Sequence, residues 1–382
     1  MVINKKKSKD GLIFFTAVAL IVGTIIGAGV FGIPYAIAQS GFSIGLIHLI
    51  VLGIFVTLMT LYMGEVVLRT KEESQFIGLA DRYLGRGGKW LMFISMVIGI
   101  FGALTAYLVG IGSSVAHLVG IHPPLIYTLI FFAFAAPIIY YGLESISIIG
   151  LILSTLLILI LFVIILGLLP EVQMSNLDYV DFSKAMVPYG VILFACLGYS
   201  VIPEVEMLLK KQKNKMFLAI IFATFICIGL YALFSFTVVG VYGSSVAEIA
   251  TQSLSGIKNV FGTIVAILAM ATGFLALGLV MKHVFSLDLK IDKRISWIIV
   301  CFLPLFVVFF VDPGFVDALA FTGTYAGGLT GILSCFLVYN ARKKGKRKPE
   351  YVVPGGTFLI VLSALVFIGG IFYQTFHLLG FI

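Results

Sequence analysis

The first apolar run of the chain contains a short segment that favours unwound backbone. Three glycines fall within residues 27–32, and Pro34 follows them. The run lies between Asp10 and Glu65, and no charged side chain occurs between these two residues. Unwound backbone at membrane depth is tolerated only where it lines a cavity enclosed by protein, because hydrocarbon offers no hydrogen-bond partner. The pattern therefore predicts a membrane-spanning helix that is broken over residues 27–32 and resumes near Ile33.

A second segment in the middle of the chain repeats this pattern. Small residues around Gly198 are followed by Ile202 and Pro203, as those of the first segment are followed by Ile33 and Pro34. The two segments lie in the first and sixth predicted spans, so two five-span units that begin with them enter the membrane from opposite sides. This spacing predicts an inverted repeat, an arrangement in which broken helices mark the solute site of secondary transporters.

Two broken helices provide groups for a ligand that carries both charges. Where a helix resumes, here near Ile33 and Val201, its first N–H groups and the helix dipole favour an anion such as a carboxylate. Where a helix stops, here near Ile26 and Ala195, unpaired carbonyls suit an ammonium group or a small cation. Free α-amino acids are abundant solutes of this kind, and the pattern predicts a site for them. The alternative is a pair of structural helices that glycine merely kinks.

The composition is typical of a polytopic membrane protein. Hydrophobic residues make up 61% and charged residues 11% of the 382 positions, and the mean hydropathy is +1.16, unlike a soluble domain. Because about 20 apolar residues cross a bilayer, the sequence predicts an all-α protein with eleven spans. They cover residues 12–38, 43–66, 90–117, 124–142, 146–168, 186–209, 216–241, 259–286, 295–311, 315–340 and 356–378.

The basic residues predict the orientation of these spans. With eleven spans, 23 of the 25 lysines and arginines fall on the side of the N-terminus, and only Lys184 and Lys258 fall on the other. The positive-inside rule then places the N-terminus in the cytoplasm and the C-terminus outside the plasma membrane. The net charge of +8 is explained by this cytoplasmic excess, so the expected partners are the lipid bilayer and a small solute, and no nucleic acid.

Five segments of the chain carry a resemblance to a known family. They are residues 22–34 (VGTIIGAGVFGIP), 64–70 (GEVVLRT), 83–85 (YLG), 202–204 (IPE) and 272–278 (TGFLALG). They resemble amino acid permeases of the amino acid–polyamine–organocation superfamily. Within it, the chain is most similar to the aromatic amino acid (tryptophan/tyrosine) permeases and their amino acid/auxin relatives. The resemblance covers nearly the whole chain.

This resemblance implies the LeuT-type fold, in which two inverted five-helix repeats hold a solute between spans one, three, six and eight. The repeats would cover about 12–168 and 186–340, with an extra helix over about 356–378, in one transporter domain, 1–382. Tyr325 on the tenth span is a further candidate for the pocket wall. The substrate-binding residues that the resemblance implies are Ile26, Gly27, Ala28, Gly29, Val30, Phe31, Gly32, Tyr107, Cys196, Leu197, Gly198 and Tyr199.

The sequence leaves two coupling ions open, H⁺ and Na⁺. In sodium-coupled relatives, carbonyls of the first span and oxygens of the eighth hold the ion. Thr272 offers a hydroxyl here, but Gly273 stands where relatives often carry a second one. The fifth span has no lysine, so it lacks the group that replaces sodium in some proton-coupled relatives. Glu204, in the first turn of the resumed sixth helix, is the candidate proton carrier, since ionisable groups at that depth are commonly functional. Its alternative role is structural, as a carboxylate held by Lys210 or by backbone.

Two further carboxylates, Glu65 and Glu144, lie near predicted cytoplasmic span ends. We expect them to pair with basic residues of the loops rather than to carry protons.

Two other classes of function compete with amino acid transport. The same scaffold carries other solutes, such as polyamines or nucleobases, but a polyamine pocket needs acidic residues and only Glu204 lies near the breaks. A channel or a membrane enzyme is the more distant alternative, because the chain contains no selectivity-filter repeat, nucleotide loop or catalytic motif. We therefore expect no enzyme activity and no cofactor beyond the coupling ion. The oligomeric state is not predicted.

Overall fold

The computed structural model describes residues 2–72, 74–141 and 146–381, with side chains described over 11–72, 74–141, 155–286 and 289–381. Glu144 lies outside the described residues. Every regular element in these ranges is helical. The α-helices are α1 (Val2–Ile25), α2 (Gly29–Ser40), α3 (Phe42–Arg69), α4 (Phe76–Val119), α5 (Leu125–Tyr141), α6 (Ile146–Leu168), α7 (Val187–Cys196), α8 (Ile202–Leu208), α9 (Met216–Tyr242), α10 (Gly256–His283), α11 (Lys293–Phe310), α12 (Phe315–Thr322), α13 (Gly328–Lys344) and α14 (Gly356–Leu378).

Each predicted span coincides with one helix or with a pair of helices. The pairs are α1 and α2 in the first span, α7 and α8 in the sixth, and α12 and α13 in the tenth, where a π-helical turn (Gly323–Gly327) joins them. Among the described residues, eight helices are long and apolar enough to cross a membrane, and the bent pair α1–α2 makes a ninth. Two shorter apolar helices, Leu125–Tyr141 and Thr155–Glu171, lie where the fourth and fifth spans are predicted. The chain is an all-α polytopic membrane protein, and the number of eleven spans stays a prediction.

The outer faces of these helices are apolar. Large side chains such as Phe134, Phe162, Phe225 and Phe302 are exposed on the protein surface. In water such faces would favour aggregation, but they match the hydrocarbon of a bilayer, in which the helix satisfies its own backbone.

Side chains from two neighbouring helices hold the end of α5. The buried Lys282 of α10 donates to the carbonyl oxygens of Ile139 and Tyr140, and Trp297 Nε1 of α11 donates to the Ala136 carbonyl at 2.8 Å. The last carbonyls of a helix lack partners within it and carry its negative dipole end. Lys282 therefore joins α10 to α5, and Trp297 joins α11 to α5, at the end that the positive-inside rule assigns to the cytoplasm.

Candidate functional site

The first span is broken over three residues. Helix α1 ends at Ile25, α2 begins at Gly29, and the two are bent by 57°. The Val30 and Phe31 amides donate to the carbonyls of Gly27 and Ala28 at 3.3 and 3.1 Å. These two bonds close the first turn of α2 and use the amides of Val30 and Phe31.

The predicted extent of this break is wrong. The non-helical residues are Ile26, Gly27 and Ala28, whereas Gly29–Gly32 belong to α2 and the helix resumes four residues before Ile33. Glycine permits unwinding but does not require it, and a helix satisfies backbone groups that hydrocarbon would leave without partners. Pro34 accordingly lies inside α2 rather than in its first turn.

The second break lies where the sequence predicts it. Helix α7 ends at Cys196, Leu197 is extended (φ −68°, ψ 116°), and a 3₁₀ turn over Tyr199–Val201 leads into α8. Pro203 falls in the first turn of α8, where its missing N–H removes no helical bond. The Leu197 amide still donates to the Phe194 carbonyl at 3.1 Å.

One hydroxyl group connects the ends of both interrupted helices. Tyr231 Oη, fully buried in α9, lies 2.9 Å from the Ile25 carbonyl oxygen and 2.9 Å from the Ala195 carbonyl oxygen. A phenol donates a single proton, so it serves the two carbonyls in turn or shares its proton between them. The carbonyls at the ends of α1 and α7 therefore converge on one position, and the Tyr231 hydroxyl occupies it.

The start of α2 also lies directly against the end of α7. A Cβ atom built on Gly29 would lie 2.8 Å from both Cα and Cβ of Ala195. This distance is shorter than a carbon–carbon contact allows. Only glycine at position 29 lets the two breaks come together.

The Cys196 side chain does not face the helices with which it was expected to form the wall of the substrate pocket. With Ile25 it lines a void of about 10 Å³, which also borders Thr57 of α3 and Thr224 and Cys227 of α9. Its lining is almost entirely apolar, so the void offers a water molecule too few hydrogen-bond partners. Cys196 thus faces α3 and α9, whereas the resemblance implied a pocket formed with the third, eighth and tenth spans.

Tyr107 of α4 and Gly273 of α10 are in contact across the third and eighth spans. A Cβ atom built on Gly273 would lie 2.7 Å from Tyr107 Cε2, so the ring occupies the space of a side chain at this position. The neighbouring Thr272 hydroxyl donates within its own helix, to Leu268 O at 2.9 Å and Ala269 O at 3.1 Å. At these two positions α10 thus offers one hydroxyl oxygen, and its proton is used locally.

Tyr199 connects the second break to spans three and ten. Its hydroxyl lies 3.3 Å from Thr330 Oγ1 of α13, and Thr330 lies 2.6 Å from Ser95 Oγ of α4. Ser95 in turn donates to the Ala326 carbonyl at 2.8 Å. Tyr325, by contrast, reaches Thr375 Oγ1 of α14 at 3.0 Å and does not turn toward the breaks.

The candidate proton carrier Glu204 is exposed in the first turn of α8. Its Oε1 accepts a hydrogen bond from Gln75 Nε2 at 3.0 Å. The hydrogen-bond partner of this carboxylate is therefore Gln75 rather than Lys210.

Among the carboxylates whose side chains the structure describes, Glu65 is the one that is completely buried. It accepts from Arg69 Nε at 2.9 Å, from Arg342 Nε and Nη2 at 2.9 and 2.8 Å, and from the Val353 amide at 2.9 Å. The expected pairing of Glu65 with basic residues near the loops is confirmed. This cluster holds the segment between α13 and α14 against the end of α3.

Residues 11–377 match the family model described as the tryptophan/tyrosine permease family. The chain belongs to this family. It is a permease rather than an enzyme, and the resemblance to aromatic amino acid permeases is confirmed.

Several curated relatives resemble the permease over most of their length. A tyrosine-specific transport system 1 of Haemophilus influenzae is 27% identical, with 91% of this chain and 92% of the relative covered. A tryptophan-specific transport protein of Shigella flexneri is 23% identical, with 95% and 94% covered. Glutamine transporter 2 of Aliivibrio fischeri is 21% identical, with 92% and 96% covered.

Sequence reasoning missed Tyr231 in this permease. The signal was present, since a tyrosine in the middle of the apolar run of α9 must find a partner for its hydroxyl when it is buried. The sequence does not show that the partners are Ile25 and Ala195, because they lie 206 and 36 positions away along the chain.

Proposed function

We propose that this permease is a secondary active transporter that moves amino acids, aromatic ones above all, across the plasma membrane by alternating access. Its family and the names of its relatives support the substrate class. The observation that carries the proposal is the meeting of the two helix breaks at Tyr231 Oη. Helix ends converge in this way where irregular backbone lines a solute site.

The substrate would lie between the two breaks. Its carboxylate would be held at Gly27–Gly29, where α2 starts and its dipole favours an anion. Its ammonium group would compete with Tyr231 for the carbonyls of Ile25 and Ala195. The side chain would extend toward the rings of Tyr107 and Tyr199, whose aromatic faces suit an aromatic substrate.

Alternating access would use two inverted five-helix repeats of the LeuT type. The first would cover about 12–168 and the second about 186–340, with α14 outside them. The positions of the breaks support this division, because each lies in the first span of its repeat. The basic residues support an N-terminus in the cytoplasm and a C-terminus outside the cell.

We expect transport to be coupled to H⁺ rather than to Na⁺, because of the residues at positions 272 and 273 of α10. A sodium site needs several oxygen ligands, and positions 272 and 273 of α10 offer a single hydroxyl, that of Thr272 beside Gly273. Glu204 would carry the proton. It lies in the first turn of the resumed helix and is open to solvent, so it can exchange protons with the aqueous side.

A second candidate substrate class is the neutral polar amino acids. The relative named glutamine transporter 2 supports it, and the backbone groups at the breaks recognise the charges common to all α-amino acids. Polyamines and nucleobases remain weaker alternatives on the same scaffold.

Uptake into proteoliposomes tests the proposal. The purified permease is reconstituted in lipid, and radiolabelled tyrosine, tryptophan, phenylalanine, glutamine and putrescine are offered under proton and sodium gradients that are imposed separately. We expect accumulation of aromatic amino acids under a proton gradient. Accumulation of glutamine alone would replace aromatic amino acids as the proposed substrate class. Accumulation under a sodium gradient alone would replace H⁺ as the proposed coupling ion. No uptake of any amino acid would overturn the proposed function.

A further inference from the structure

A second cavity lies away from the breaks, at the membrane surface that the basic residues assign to the cytoplasm. Its volume is about 420 Å³. It is bordered by residues 67, 70–72, 74 and 75 at and after the end of α3, by Leu79 of α4, by residues 203, 206, 207, 210 and 213 of α8 and its loop, and by Arg347 between α13 and α14. Its charged lining residues are Lys71, Glu72, Glu206, Lys210, Lys213 and Arg347.

Most of these charges are already paired. Lys213 pairs with Glu206, and Glu72 pairs with Arg82 outside the lining. Arg347 pairs with Glu350 and donates to the Leu68 carbonyl at 3.1 Å.

Two lysines of the lining are left with positive charge. Lys71 follows α3 and Lys210 follows α8, and neither has an ion pair or hydrogen bond from its side chain within the described part of the chain. Both are exposed. Two segments of the protein thus place uncompensated ammonium groups around the same space.

We propose that this cavity is a binding site for a phosphate-bearing anion, held between Lys71 and Lys210. Ammonium groups make strong charge-assisted bonds to phosphate oxygens. Ser74 in the same lining adds a hydroxyl group. The Thr70 hydroxyl donates to the Val66 carbonyl, and the Gln75 amide donates to Glu204. Anionic phosphate is abundant at this surface as lipid headgroups, which attract basic side chains near the bilayer, and it also occurs free in the cytoplasm.

Such a ligand would act on the cytoplasmic half of the broken sixth span. It would bridge the loop after α3 to the end of α8, the seven-residue helix that continues this span beyond its break. An occupied site would hold α8 against α3, and transport would slow if α8 has to move during the cycle. Binding itself does not depend on the proposed transport function.

The test measures binding with two probes and three double variants. The permease is titrated with inorganic phosphate in detergent, and separately it is placed in nanodiscs of neutral phosphatidylcholine with and without phosphatidylglycerol, with melting temperature as the readout. Lys71→Gln/Lys210→Gln removes both ammonium groups. Lys344→Gln/Lys348→Gln removes the same charge from exposed residues of the same surface outside the cavity. Lys71→Arg/Lys210→Arg keeps the charge in place.

We expect the anionic probe that binds to raise the melting temperature of the wild type. In Lys71→Gln/Lys210→Gln its apparent affinity should fall about tenfold or more, as the loss of two charged hydrogen bonds implies. The other two variants should respond as the wild type does. A response to phosphatidylglycerol alone identifies a lipid site, and a response to phosphate alone identifies a soluble ligand. The proposal is overturned if neither probe acts, or if both glutamine variants lose the response equally, which would indicate general surface charge.

Discussion

The ring of Tyr107 in α4 occupies the space in which any side chain at position 273 in α10 would lie. A Cβ atom on Gly273 would come within 2.7 Å of Tyr107 Cε2. This contact leaves no space at position 273 for the second hydroxyl that a sodium site of the expected kind would use. Gly273 has no side chain that could serve as an ion ligand, and it leaves space for the Tyr107 ring beside the proposed pocket.

Gly273→Ala should therefore disturb Tyr107 and weaken the binding of aromatic substrates. Overpacking of this kind costs about 1–3 kcal/mol of stability, which lowers the melting temperature, and the displaced ring should raise the KM for aromatic amino acids. Gly229→Ala, at a position with open space around it, is the matched control. In a Tyr107→Ala background the cost of Gly273→Ala should shrink. An equal cost in both backgrounds would show that the two residues do not interact.

Gly29→Val should abolish uptake while the protein still reaches the membrane. The added side chain would collide with Ala195, 2.8 Å from the position of the new Cβ, and would force the two breaks apart. Transport assays and membrane fractionation measure the two effects, and Gly229→Val serves as the control. A Gly29→Val variant with normal uptake would remove the breaks from the substrate site.

Tyr231→Phe should reduce uptake and stability together. It leaves the Ile25 and Ala195 carbonyls without their hydroxyl partner, and an unsatisfied buried acceptor costs about 1–3 kcal/mol. If the substrate ammonium group uses the same carbonyls, the variant should also change KM relative to the wild type. Tyr242→Phe, at the end of the same helix, should behave as the wild type. A stability loss with KM unchanged would restrict Tyr231 to a structural role.

Glu65→Gln should strongly destabilise the fold. The buried carboxylate pairs with two guanidinium groups, those of Arg69 and Arg342, and breaking a buried ion pair costs about 3–5 kcal/mol. Thermal unfolding of the purified protein measures this loss. Glu72→Gln removes an exposed partner of Arg82, and such pairs contribute less than about 1 kcal/mol. Similar melting temperatures for the two variants would contradict the assigned role of Glu65.

Glu204→Gln should lower proton-driven accumulation and leave exchange of internal for external substrate unchanged. A neutral amide cannot take up and release the proton, but it still accepts the hydrogen bond from Gln75. Accumulation as a function of external pH, compared with counterflow, separates the two activities. Unchanged pH dependence in Glu204→Gln would assign the carboxylate to the contact with Gln75 alone.

The helices of this protein could be placed from the sequence because each one depends mainly on the composition of its own segment. A long apolar run without charge must form a helix in a bilayer, and the run ends where charge returns, as α3 does at Arg69. The second break was predictable for the same reason, since Pro203 can start a helix but cannot continue one easily. The extent of the first break was not, because glycine allows both conformations and the contacts with α7 select one.

The sequence by itself determined the class of molecule, the location of its helices and the presence of two helix breaks. Each of these depends on a short segment of the chain and on how that segment interacts with lipid. Tertiary structure alone decided that Tyr231 joins Ile25 to Ala195, that Cys196 faces α3 and α9, and that Glu65 rather than Glu204 is buried. These relationships join positions far apart in the chain. They depend on how the helices pack, and packing is decided by the fit of many side chains at once rather than by the pattern of any one segment.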